Sequence, residues 1–213
     1  MSSFAELRRM MVDCQLRTYD VTDRAVLAAA DSVPREAFLP SELSHLAYLD
    51  RQETLPGTSR ALPAPMVTAR MIQLLDLQPG ETVLEYGGGS GYGAALMAAM
   101  GAKATLLEPD EAALALAREA FAKPGVPAAT LAASLPADAQ FDAVLVSGAC
   151  ETQPKALFGH VRAGGRLIVI EGLGRAARVM LYRSSGDSLS GRPVFDAAAP
   201  ALQEFRKAEE FAF

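Results

Sequence analysis

The chain has 213 residues and a formal net charge of −5, a length that suits one domain with an appendage better than two. Half of it is apolar, enough for a full core without disulfides or metal, yet no apolar run approaches the eighteen or so residues of a membrane span. Met1 to Arg9 lacks the apolar stretch of a secretory signal, and the acidic balance, with no basic stripe, argues against nucleic acid as the main partner.

Leu7, Met10, Met11, Cys14 and Leu16 recur at helical spacing and predict a first helix. Val26, Leu27, Ala30 and Val33 predict a second, with Asp20 or Thr22 as its cap and Pro34 as its end. From about Ser41 to Pro65 the apolar repeat gives way to Pro56, Gly57, Pro63 and Pro65, and the segment reads as loop. Arg51 and Arg60 lie in it and read as solvated side chains, where an anionic substrate would find a partner. Met66 to Leu75 reads as a helix, followed by a turn at Gln78-Pro79-Gly80. Thr82 to Tyr86, Lys103 to Leu107, Phe141 to Ser147 and Arg166 to Glu171 read as strands. Between them, Gly91 to Met100, Asp110 to Ala122 and Gln153 to Val161 read as helices. Strands separated by helices make a doubly wound, mostly parallel sheet. Ala177 to Arg183 and Arg192 to Ala197, joined by the turn-rich Ser184 to Gly191, add an antiparallel hairpin at its edge. The expected organisation is a single domain over 1–213, with 1–65 a helical and loop extension and 66–213 the core.

Cys14 and Cys150 are far apart and accompanied only by His45 and His160. That is no metal-ligand spacing; the thiols read as reduced and partly buried, in a cytoplasmic protein.

The segment with most chemical content is Glu85-Tyr86-Gly87-Gly88-Gly89-Ser90-Gly91, between a strand and a helix. Ligands of open parallel sheets bind at the carboxyl ends of strands. Glycines there let the backbone approach a ligand, and the following helix presents free N–H groups. Glu108 directly follows the next strand, where a carboxylate can accept both hydroxyls of a ribose. Gly89, Gly91 and Ala94 match a dinucleotide pattern, but the stronger feature is an acid followed by three glycines at alternate positions. A carboxylate two residues before the first glycine would face a pyrophosphate badly and suits the cationic end of S-adenosylmethionine. The reading is therefore an S-adenosylmethionine site, with S-adenosylhomocysteine as product.

Together these segments resemble the protein-L-isoaspartate O-methyltransferase family. Met11-Val12 with Gln15-Leu16, Val26-Leu27-Ala28-Ala29, Val33-Pro34-Arg35 and Phe38-Leu39-Pro40 are similar, in order, to its amino-terminal signature. Ala47-Tyr48-Leu49-Asp50 resembles its Ala-Tyr-x-Asp element, and Val83 to Ala95 its glycine motif. Phe141 to Val144 and Gly164 to Leu167 resemble later motifs. The resemblance implies a class I Rossmann-like fold with a seven-stranded sheet, and methyl transfer to the free carboxylate of isoaspartyl residues in damaged proteins or peptides. It implies cofactor contacts from Glu85, Gly87, Gly88, Gly89, Ser90, Gly91 and Glu108. An acceptor already ionised at pH 7 needs no strong base, and no catalytic residue is assigned.

Two departures stand out. Ala61-Leu62-Pro63-Ala64-Pro65 aligns with the family's Thr-Ile-Ser-Gln-Pro, so Pro63 stands where a serine hydroxyl would lie beside the cofactor. Ser59 is a distant substitute. The family's Gly-Asp-Gly near the adenine is replaced by Leu131-Ala132-Ala133-Ser134-Leu135, leaving Ala133 and Ser134 as contacts there. These departures keep two alternatives open: a small-molecule methyl acceptor, or a domain that binds the cofactor without catalysis. Tyr48 and Asp50 read as buttresses of the loop, Tyr92 as helix packing or a pocket wall, and Asp142 as a turn residue. Oligomeric state is left open.

Overall fold

A computed structural model of the chain describes residues 3–186 and 188–207. Met1, Ser2, Asp187 and 208–213 lie outside the described residues, and with them the ends of the expected extension and core and one residue of the hairpin turn.

Helix α1 (Phe4–Met11) starts at a reciprocal cap: the Glu6 amide donates to Ser3 Oγ and the Ser3 amide to Glu6 Oε2. It continues through a wider turn over Val12–Leu16 and a tight one over Arg17–Tyr19. Asp20 ends that run in the left-handed conformation, at φ 60°. Asp20 and Thr22 therefore do not cap α2 (Arg24–Ser32). Asp23 does, accepting from the Ala25 and Val26 amides, while the Thr22 amide donates to Gln73 Oε1. Val33 is extended, as the residue before a proline must be, and closes the helix.

The loop zone holds more structure than its composition suggests. Short helical turns cover Arg35–Phe38 and Ser41–Leu46. Strands β1 (Glu53–Thr54) and β2 (Ala61–Leu62) then form an antiparallel ribbon, with Glu53 opposite Leu62. Its tip, Leu55 to Arg60, is closed by the Leu55 amide on the Arg60 carbonyl and by Thr58 on the Leu55 carbonyl.

The remaining elements are α3 (Pro65–Leu75), β3 (Thr82–Tyr86), α4 (Tyr92–Ala99), β4 (Lys103–Leu107), α5 (Glu111–Phe121), β5 (Thr130–Ala132), β6 (Phe141–Cys150), α6 (Lys155–Phe158), β7 (Val161–Glu171), β8 (Arg178–Ser185) and β9 (Ser188–Asp196). Sheet order is β5-β4-β3-β6-β7-β8-β9. The first five strands pair in parallel; β8 and β9 add the expected antiparallel hairpin. Its strands run longer than expected because they meet across a turn at Gly186, where φ is 66°. Helix α6 is one turn rather than Gln153 to Val161, since Val161 already pairs with Phe141. Strand β6 passes Ser147 to Cys150 through an irregularity between Leu145 and Ala149.

One apolar cluster joins the amino-terminal helices to one sheet face through Met11, Leu27, Phe38, Ile72, Leu96 and Ile168. A second, with Leu84, Val146, Leu167 and Tyr182, covers the other face. Among the described residues no helix is long and apolar enough to cross a membrane. Of the two thiols, Cys14 is exposed and Cys150 buried, rather than both partly buried.

Candidate cofactor site

Strand β3 delivers Glu85 and then the glycine loop at the carboxyl edge of the sheet, between β4 and β6. Gly89 and Gly91 take left-handed backbone, at φ 60° and 87°, which a side chain would strain. The Glu85 carboxylate is buried and fully engaged. Its Oε1 accepts from Ser147 Oγ at 2.5 Å and its Oε2 from the Ala94 amide at 2.6 Å. A Cβ on Gly88 or Gly93 would come within 2.3 Å of this carboxylate, so both positions are bare to make room for it. Burial pushes the Glu85 carboxyl up to about 7 against the pull of these donors. Ser147, the partner of Glu85, is a residue that periodicity reads only as the end of a strand.

Glu108 follows β4 and is also buried. Its Oε2 accepts from the Gly89 amide at 2.8 Å, and its Oε1 from the Asp110 amide at 3.0 Å and from Arg60 Nε at 2.8 Å. Burial pushes its carboxyl upward; Arg60 and the two amides offset part of that. Beside it, the Glu108 amide bonds the Ala132 carbonyl, which puts Ala133 and Ser134, both exposed, at the same end of the sheet. Ser90 turns the other way. Its Oγ donates to the Phe38 carbonyl at 2.6 Å, tying the loop to the amino-terminal extension.

Arg60 departs most from expectation. Rather than being solvated, its side chain is 2% exposed. It lies between Glu108 and Glu204, with Nη1 3.2 Å from Glu204 Oε2 and Nη2 paired with the same carboxylate. Two carboxylates make this burial possible, because an unpaired guanidinium would keep its water. They also outweigh burial and hold Arg60 charged. Burial opposes ionisation of Glu204, but the Arg60 bonds prevail and draw its carboxyl below the usual range. Arg51 keeps to expectation: it is exposed and pairs with Glu53.

Two segments thus cover the glycine loop. From the ribbon tip, Leu55 lies against Gly89, 2.7 Å from where a Cβ would stand. From the carboxyl-terminal side, a strap over Pro200 to Phe205 crosses the ends of β3 and β6. The Ala149 amide bonds the Pro200 carbonyl, the Leu202 amide bonds the Ala149 carbonyl, and the Thr152 amide bonds the Phe205 carbonyl. Leu202 fills the space over both Gly87 and Gly148, and the Phe205 ring meets Tyr86 at 5.6 Å.

The remaining expected residues are structural. Tyr48 accepts from Arg8 Nε at 2.9 Å and donates to Glu36. Tyr92 is buried beneath the Arg35 guanidinium, 4.6 Å from its ring centre. Asp142 accepts from the Thr82 amide and hydroxyl and pairs with Arg162. Ser59 does not replace the missing hydroxyl: its amide and Oγ both donate to Asp110. Pro63 contributes only its carbonyl, which accepts from Arg35 Nη2.

In chemical type the donors suit S-adenosylmethionine: one acid at the loop, one after the next strand, glycines between. The space does not suit it in this conformation. Glu108 has donors on both oxygens, and Leu55 and Leu202 stand where the glycines would admit a ligand.

The chain matches the family model described as Protein-L-isoaspartate(D-aspartate) O-methyltransferase over residues 7–196. It is 40% identical to a protein-L-isoaspartate O-methyltransferase of Methylorubrum extorquens, covering 78% of this chain and 74% of that one. It is 38% identical to protein-L-isoaspartate O-methyltransferase 1 of Rhodopseudomonas palustris, covering 88% and 79%. Among solved structures it superposes on a protein-L-isoaspartate O-methyltransferase with a TM-score of 0.77 at 22% identity, over 92% of this chain and 65% of that one. A Plasmodium falciparum chain described under the same activity, in complex with S-adenosyl-L-homocysteine, gives 0.75 at 17%, over 96% of this chain and 100% of that one. These structures share the class I methyltransferase fold. With a family match running from α1 to the end of β9, and relatives alike over most of their own length, the chain belongs to the protein-L-isoaspartate O-methyltransferase family.

Proposed function

We propose that the chain is an S-adenosylmethionine-dependent O-methyltransferase acting on the free carboxylate of isoaspartyl residues in damaged proteins or peptides. The carrying observation is the pair of buried acids, Glu85 and Glu108, held on either side of the glycine loop. In chemical type and placement the two acids suit a cationic, ribose-bearing cofactor, one at its charged end and one at its ribose. The relatives' shared activity favours a peptide carboxylate over a small-molecule acceptor.

In this reading Glu85, Gly87, Gly88, Gly89, Gly91 and Glu108 hold the cofactor once the cleft is clear. Ala133 and Ser134 flank the adenine, and Ser90 acts through its bond to Phe38. The protein's remaining task is alignment and exclusion of water, because the acceptor is already ionised. The proposal takes 1–65 as extension and 66–213 as core of a single unit. It also places the protein in the cytoplasm, in keeping with the free thiols Cys14 and Cys150.

The test is methyl release from an isoaspartyl peptide by purified protein at saturating cofactor, beside the matching aspartyl peptide. Turnover of the first alone supports the reading. Label transferred to neither peptide, but to small molecules of a cell extract, would replace it.

A further inference from the structure

We propose that Arg60 and the Pro200–Phe205 strap form an intramolecular lock, in which the chain occupies its own cofactor site and must open before the cofactor enters. The inference rests on the functional reading above and specifies how that site is regulated.

Three observations meet at one place. The first is Arg60, whose Nε, with the Asp110 amide, occupies one of the two Glu108 oxygens that ribose hydroxyls would use. The second is Leu202, packed over Gly87 and Gly148 so closely that a Cβ on either would lie within 3 Å of it. The third is Glu204, which joins the two segments: it sits on the strap and takes the remaining arms of Arg60. Tyr86, at the end of β3, adds a hydroxyl contact to Glu204 at 3.4 Å. Neither segment closes the site alone. The ribbon tip supplies the cation and Leu55; the strap supplies the counter-charge and Leu202.

The lock is held by contacts that can be exchanged. The strap bonds β6 through a few amides and one bridge, Ala149 with Ala201. The tip is moored to Asp110 only by Ser59. If Glu204 withdraws, Arg60 loses half of its compensation, and the pair with Glu108 becomes the last contact to break. A cofactor then selects the open population, and its apparent affinity falls in proportion to the closed fraction.

The experiment is calorimetric titration with S-adenosylhomocysteine, with hydrogen exchange read on peptides covering 55–60 and 200–206. It compares the unaltered chain with Leu202→Ala and with Glu204→Gln. Glu204→Gln replaces a partly exposed carboxylate and serves if the larger truncation fails to fold. Expected are at least tenfold tighter binding by either variant, faster exchange in both peptides without ligand, and faster exchange in the unaltered chain when ligand is added. Binding with the strap still protected, and no tighter in the variants, would overturn the lock while leaving the cofactor reading intact. Failure of all three proteins to bind at millimolar ligand would overturn both, because the opened variants remove the lock as the reason.

Discussion

Arg35 Nη2 donates to the Pro63 carbonyl oxygen over 2.8 Å, with the arginine fully buried. Arg35 Nε holds the Ala47 carbonyl at 2.8 Å, so one buried guanidinium fixes both ends of the loop zone. The clamp uses the backbone of residue 63 and is indifferent to its side chain. Pro63→Ser is therefore expected to change stability by less than about 1 kcal/mol. Arg35→Met leaves two buried carbonyls without their charged donor and is expected to cost on the order of 3 kcal/mol. Urea unfolding of both variants checks the contrast; equal losses would mean that the Pro63 ring itself carries the loop.

Arg166 gives a second anchor, remote from the cleft. Its Nη1 and Nη2 each reach Glu81 at 2.7 Å, and Nε holds the Leu75 carbonyl. Arg166→Met is expected to lower unfolding free energy by roughly 3 kcal/mol. Its S-adenosylhomocysteine affinity should stay within twofold of the unaltered chain, since the pair ties α3 to the sheet beneath the site. A large loss of affinity with unchanged stability would reverse that assignment.

Glu85 sets a pH dependence. Its folded carboxyl lies at about 7 and its unfolded one at the ordinary value for glutamate. Between them the folded chain keeps a proton that the unfolded chain releases. Stability from this group is therefore full below about pH 4.5 and falls as pH rises to about 7, by on the order of 3 kcal/mol. Glu81, Asp110, Asp142 and Glu204, held below their usual range, act with the opposite sign and in more acid solution. Glu108, also pushed upward by burial, acts in the same direction as Glu85; denaturant curves at pH 5 and 7.5 should show the fall, and Glu85→Gln should lessen it.

Much of the candidate site's arrangement was legible because it is local. Glu85, the glycines and Glu108 belong to one strand-turn-helix-strand run, where spacing alone fixes what shares the sheet edge. Arg60 was not legible. Its partner Glu108 lies 48 residues away and Glu204 lies 144 away, and an arginine in a proline- and glycine-rich stretch reads as solvated until the fold brings carboxylates to it. The ribbon that carries it has two residues per strand, too few for any periodicity. Ser147 hid for another reason: a serine at the end of an apolar strand resembles a boundary, and only the buried carboxylate opposite gives it a task. Six strands of the sheet were legible; β5, three residues long, is too short for any periodicity, and α6 was overread because Val161 already pairs in β7.

Asp110 joins the legible and illegible parts. It caps α5 through the Ala113 amide and moors the ribbon tip through Ser59. Asp110→Ala is expected to cost about 1 kcal/mol for the lost cap and to speed hydrogen exchange at Ser59. Loss of the cap without faster exchange would show that Arg60 alone holds the tip.

Because the strap and the ribbon tip give Glu108 and the glycine loop partners from within the chain, the folded apoprotein is complete without its ligand. Part of the intrinsic affinity of an arriving cofactor goes into displacing contacts that were already stabilising. The rise in melting temperature at a given ligand concentration is correspondingly smaller than in a pre-opened site. The chain can thus stay folded while cofactor is scarce, and its thermal stability reports poorly on how much cofactor is present.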